Sequence, residues 1–151
     1  MRALSAVFTL FTIISVFVTA AYAENHHPIF AVKEWQEVTT MNYHFTDNDG
    51  TKTLWKKVKF YEHRHPEGMY RYAVFTVFGE TAVRSYAIYY NNGNRTEVYF
   101  SVEKDGSWYT VKNGDLYNEE IRDASGKLVG LVIVLEDENG KEILRREVKR
   151  K

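Results

Sequence analysis

The chain has 151 residues, with 20 basic against 20 acidic side chains, 11 tyrosines and no cysteine. That balance excludes a dedicated nucleic-acid binder, which gathers a basic excess on one face. The missing cysteine excludes a disulfide framework, a thiol nucleophile and a thiolate metal site.

From the first residue, the pattern is that of an export signal. Arg2 supplies a positive charge, residues 3 to 20 carry none, and Ala21-Tyr22-Ala23 places small residues at the two recognition positions of a signal peptidase. Residues 1–23 are therefore expected to be a signal peptide cut after Ala23, delivering the protein to the periplasm or the exterior with no stable membrane insertion afterwards. A retained anchor is long enough to span a bilayer. However, Thr9, Thr12, Ser15 and Thr19 soften the run and no basic stop-transfer cluster follows it. Cleavage leaves 128 residues with 19 basic and 20 acidic groups, the usual size of one domain.

Residues 24–35 read as a partly flexible N-terminal leader. If the mature chain starts at Glu24, its amine, the two backbone amides after it and the His26 imidazole form a four-nitrogen, square-planar site for Cu(II) or Ni(II), spanning Glu24, Asn25 and His26. His27 could add a ligand; the competing reading is two solvated, inert histidines at a chain end. Residues 28 to 38 allow one short helix, with Pro28 at a permitted first position.

Residues 36–151 read as a single all-β domain. Its punctuation is glycine preceded by Asp, Asn or Ser, at Asp49-Gly50, Asn92-Gly93, Asp105-Gly106, Asn113-Gly114, Ser125-Gly126 and Asn139-Gly140. Such pairs supply the positive φ of tight hairpins, and the runs between them are rich in Val, Ile, Thr, Tyr and Phe. The expectation is an antiparallel meander of eight or nine strands, as a small barrel or a two-sheet sandwich. Along residues 95 to 104, Val98, Phe100 and Val102 alternate with Glu97, Tyr99 and Ser101, predicting one dry and one wet face. Leu54, Val58 and Phe60 are predicted to point inward from the second strand. "AVFTVF" and "LVGLVIVL" are apolar on both sides, as in central strands covered twice.

Candidate chemistry is sparse. His63 and His65 share a face at strand spacing and could hold Zn(II) with His44 or a carboxylate as third ligand, but Pro66 and Gly68 favour an ordinary strand end entering a turn. "DNDGT" at residues 47 to 51 opens like a calcium loop and fails at its twelfth position, Val58, where a bidentate Glu is required. Asn94 heads an N-glycosylation sequon that matters only in a eukaryotic secretory pathway. No Gly-x-Ser-x-Gly elbow, His-Glu-x-x-His helix or phosphate loop accompanies the serines and carboxylates, so no enzyme is read.

The most suggestive residues are aromatic. Tyr70, Tyr72, Tyr86, Tyr89, Tyr99 and Trp108 crowd the central strands, and tyrosine offers rigid amphipathic contact area at binding surfaces. Ordinary sheet packing recruits it too. Function is thus expected to be a non-catalytic, exported binding module that contacts a macromolecule or carbohydrate through this sheet face. The alternatives are a carrier of a small apolar ligand in a barrel cavity and copper or nickel handling at the mature terminus.

Overall fold

The computed structural model describes residues 27–92 and 95–151. The expected signal peptide, the candidate ligands Glu24, Asn25 and His26, and the sequon residue Asn94 lie outside the described residues. Among the described residues, nine strands follow one 3-10 turn at Pro28–Ala31: β1 Gln36–Thr46, β2 Lys52–His65, β3 Gly68–Val77, β4 Glu80–Tyr90, β5 Arg95–Lys104, β6 Ser107–Lys112, β7 Asp115–Arg122, β8 Leu128–Glu136 and β9 Glu142–Lys149. Strands β1 to β6 form one antiparallel meander, and β7 to β9 a second sheet. The larger sheet does not close on itself, so the architecture is a sandwich rather than a barrel. The short helix shrinks to a single turn begun by Pro28.

Turn chemistry sets the registers. Three hairpins share one construction, at Asp47 to Thr51, Asp123 to Lys127 and Asp137 to Lys141. In each, the aspartate carbonyl accepts from the glycine N–H and the aspartate N–H donates to the carbonyl of the closing residue. The glycines at 50, 126 and 140 have φ near +80°, the left-handed position that ends a three-residue hairpin loop. Two departures stand out. Asn113-Gly114 makes no hairpin and instead conducts the chain from one sheet to the other. A side chain at Gly114 would collide with the Glu136 carbonyl and with Val111. Conversely, Phe78-Gly79 is a hairpin turn with φ of 46° and 83°, a left-handed pair in which an aromatic first residue is unusual. Phe78 is buried in the core, and that burial offsets the backbone cost.

The core lies between the sheets. Val77, Val83 and Val102 of the larger sheet meet Leu131, Ile133, Leu135, Leu144 and Val148 of the smaller one. The second strand departs from simple alternation. Pairing with β1 slips where Tyr43 opposes Lys56 and His44 opposes Leu54, leaving Trp55 extra. A bulge of this kind turns two successive side chains to one side. Trp55 therefore packs on the core and Lys56 lines the gap between the sheets. Leu54, predicted inward, is exposed, while Val58 is buried as expected and Phe60 half-buried.

Two arginines fasten the small sheet to the large one. Arg146, only 14% exposed, reaches Glu103 at 2.6 Å and Glu80 at 3.0 Å and donates to the Glu103 carbonyl at 2.9 Å. Arg150 donates to Asp47 Oδ2 at 3.0 Å, Thr53 Oγ1 at 2.9 Å and the Leu128 carbonyl at 3.2 Å. The Arg150 hydrogen bond, against opposing desolvation, holds the Asp47 carboxyl below the usual carboxylate range.

Folded Asp47 binds its proton less readily than the unfolded chain does. The stabilisation is present above the ordinary carboxylate range and lost as pH falls through the lowered value. We expect Arg150→Met to lower stability at neutral pH and to flatten the acid limb, measured by urea midpoints stepped from about pH 7 to about pH 3. Identical acid limbs in the two proteins would contradict the assignment. Ile133→Ala, which empties a fully buried position, is expected to cost about 2–5 kcal/mol at unchanged denaturant slope.

Candidate functional site: a strapped aromatic face

Strand alternation and register place one aromatic residue per strand in a single row. Tyr61 of β2 opposes Tyr72 of β3, Tyr72 opposes Tyr86 of β4, and Tyr86 opposes Tyr99 of β5. All four lie on the face away from the small sheet. Tyr61 and Tyr72 stack with centroids 5.4 Å apart, and Tyr72 and Tyr86 stack at 4.7 Å with planes 14° apart. Cross-strand aromatic pairs of this kind stabilise a sheet by a few tenths to about 1 kcal/mol each.

Residues 27 to 35 lie over this row as a strap. His27 starts it: its Nδ1 accepts from the Ile29 N–H at 3.2 Å and its carbonyl from the Phe30 N–H at 2.9 Å. The turn drives Ile29, fully buried, against Ile88 and Tyr99. Phe30 meets Tyr86 edge-on at 4.7 Å and Tyr99 at 5.3 Å, and Trp35 covers Tyr72 at 5.3 Å. Near the strap's start, Glu97 accepts from the Tyr99 hydroxyl at 2.9 Å, pairs with Lys112 at 3.2 Å and faces His27 at 3.8 Å. Burial pushes Glu97 upward, yet the hydrogen bonds from Tyr99 and Lys112 and the neighbouring positive charge outweigh it and hold its pKa below the usual range. Toward the far end, His63 Nδ1 lies 3.2 Å from the Glu34 carbonyl.

The six expected contact residues thus divide. Tyr70, Tyr72 and Tyr86 are half-buried beside or beneath the strap. Tyr99 is sealed under it at 2% exposure. The face predicted to be wet along β5 is dry here, because the strap rather than a second sheet covers it. Tyr89 alternates to the opposite side, under Arg71 at 5.2 Å. Trp108, on the edge strand β6, belongs to the strapped face and is half-buried like Tyr72 and Tyr86. Tyr61, Phe30, Trp35 and Arg84 complete the surface and were not singled out by sequence. The one available signal was Arg84, a cation inside the apolar stretch "AVRSYAI".

His63 and His65 do share this face, each beside Tyr70, with ring centroids 6.2 Å and 4.3 Å away. His65 Nδ1 accepts from the Glu67 N–H at 3.3 Å, as a strand-end histidine does. His44 pairs with Leu54 near the other end of β2, roughly 30 Å from His63 at strand rise. Among the described residues, no three His, Asp or Glu side chains converge on a metal position.

Two clefts adjoin these features. One, of about 240 Å³, lies beside the strap between Phe30, Arg84, Tyr86, Ser101, Trp108 and Thr110. The other, about 220 Å³, opens between the sheets and is lined by Phe75, Val83, Phe100, Leu116 and Ile133 among others, with Lys56 at its rim. Desolvation lowers the pKa of Lys56, whose ammonium rests 4.2 Å over Tyr43 and 4.8 Å over Trp55.

No family model, curated protein or solved structure matches the chain. The geometry of the strapped face is therefore the basis for a functional reading.

Burial under the strap, and then the neighbouring Tyr72, raise the Tyr86 phenol to about 12. The folded protein keeps this proton after the unfolded chain has lost it, so stability falls as pH rises from the ordinary tyrosine range toward about 12. Ultraviolet titration of the phenolate band is expected to show a late-ionising tyrosine. Ile29→Ala, which loosens the strap, should move that ionisation to lower pH and cost about 2–5 kcal/mol. An unchanged titration in a folded Ile29→Ala protein would show that the strap is not what dries Tyr86.

Proposed function

We propose that the protein is an exported, non-catalytic binding module whose ligand lies across the uncovered part of the strapped aromatic face, along the strap's edge. The observation behind this reading is the cross-strand tyrosine row with a partly accessible Trp108 beside an open cleft. Flat aromatic surface held rigid by a sheet suits a carbohydrate or another extended macromolecule, since little entropy is lost when rings already fixed by stacking receive a ligand. Export rests on the signal-like pattern of residues 1–23, and Glu24 as first residue is checked by intact mass of the protein recovered from its native compartment.

The carrier reading draws on a different feature. The apolar inter-sheet cleft exceeds the roughly 150 Å³ that suffices for benzene in an engineered cavity, although it is open rather than enclosed. A lipid or other apolar molecule retained in native mass spectra, and lost in a Leu116→Glu variant, would favour it.

The leading reading is tested by titrating immobilised neutral and acidic polysaccharides with the protein, its Trp108→Ala variant and its Tyr61→Ala variant. The parent is expected to bind at least one polysaccharide, with quenching of tryptophan fluorescence, and each variant to bind about tenfold more weakly or worse. Equal binding by parent and variants would move the ligand off this face.

A further inference from the structure

The cleft beside the strap contains a cation with unusual surroundings. Arg84 lies with its guanidinium 4.0 Å over the Trp108 ring, within the energetically useful range for cation–π contact. Its Nε is buried and has no hydrogen-bond partner, and an orphaned buried donor is destabilising. Among the described residues, no carboxylate pairs with Arg84, Lys57 or Lys59. Glu103, which opposes Trp108 in register, is engaged elsewhere: one oxygen pairs with Arg146 at 2.6 Å and the other accepts from the Gly106 N–H at 2.7 Å.

Register extends this cation into a row. Lys59, Val74, Arg84, Ser101 and Thr110 oppose one another across β2 to β6, and alternation puts Lys57 on the same face one pleat further along β2. The strap reaches the β5–β6 end of this row, where Phe30 shares the cleft with Arg84 and Ser101 and Thr110 are buried; Lys59 and Lys57 are partly exposed. The row thus carries three positive charges that lack acidic partners among the described residues, while its two hydroxyls, Ser101 and Thr110, are spent on each other at 2.7 Å.

We propose that the Arg84 cleft is the subsite for a carboxylate of an acidic polysaccharide, a uronate polymer whose further carboxylates follow Lys59 and Lys57 along β2. This rests on the binding-module reading and specifies its ligand class. A guanidinium fixed by an aromatic ring presents its edge as a planar fork, which matches a carboxylate in two parallel hydrogen bonds. Repeated charge on the ligand matches repeated charge on the strand. Nucleobases fit less well, because Arg84 occupies one face of Trp108 and the strap covers much of the tyrosine row.

Binding of oligogalacturonate, its fully methyl-esterified form and a single-stranded DNA oligonucleotide is measured by calorimetry at fixed low salt. The proteins compared are the parent, Arg84→Lys and Arg84→Met, each shown by circular dichroism to be folded. Arg84→Lys guards against a packing artefact, since it keeps the charge and loses the fork. The parent is expected to bind the free acid at least tenfold more tightly than the ester, and both variants to lose at least tenfold for the acid alone. Ester bound as tightly as acid overturns the carboxylate subsite while leaving the aromatic binding module standing, and so does full affinity in both variants. DNA bound more tightly than oligogalacturonate assigns the row to phosphate and also overturns it. Failure to bind any polysaccharide, neutral or acidic, removes the binding-module reading and this inference with it.

Discussion

A sheet whose central strands are apolar on both sides has to be covered twice, and this constraint organises the molecule. Strands β3 to β5 place Val77, Val83 and Val102 on one face and Tyr72, Tyr86 and Tyr99 on the other. Water excluded from either face returns roughly 25 cal/mol for each Å² of apolar surface. The chain meets the demand with two different covers. The three-stranded sheet takes the aliphatic side, and nine residues ahead of β1 take the aromatic side.

The two covers differ in how they hold. Across the aliphatic side, shape and burial are supplemented by Arg146 and Arg150, whose half-dry guanidiniums each reach two places on the larger sheet. Across the aromatic side, the strap depends on one aliphatic anchor, Ile29, on edge-on ring contacts and on polar ties near its two ends. A short strap cannot span a six-stranded sheet. Part of the aromatic face is therefore left open, and Arg84, Trp108 and the lysines of β2 lie in or beside that opening.

Much of the architecture could be read from local chemistry. Hairpin turns announced themselves as glycine directly after Asp, Asn or Ser, because positive φ leaves few other residue choices; the aspartate three residues earlier that closes three of them emerged only in the structure. The strand limits followed from the turns. Where local rules failed, a competing tertiary force had won. Phe78 adopts a left-handed backbone because its ring fills the core. Leu54 faces solvent because the bulge at Trp55 resets alternation. Asn113-Gly114 links sheets because Gly114 alone permits the backbone to pass so close to Glu136. The candidate site was half legible for the same reason: the sequence showed Tyr70, Tyr72, Tyr86 and Trp108 crowded into the central strands, whereas pairing Tyr61 with Tyr72 and Arg84 with Trp108 requires knowing which strands are neighbours.

By itself, then, the sequence determined the all-β class, the turns and which strands are apolar on both sides, since each depends on residues a few positions apart. Sandwich over barrel, the strap over Tyr99, the exile of Tyr89 to the far face and the position of Arg84 over an indole were decided in three dimensions. Those outcomes depend on register and on which surface covers which, and both are set by contacts between residues far apart in the chain.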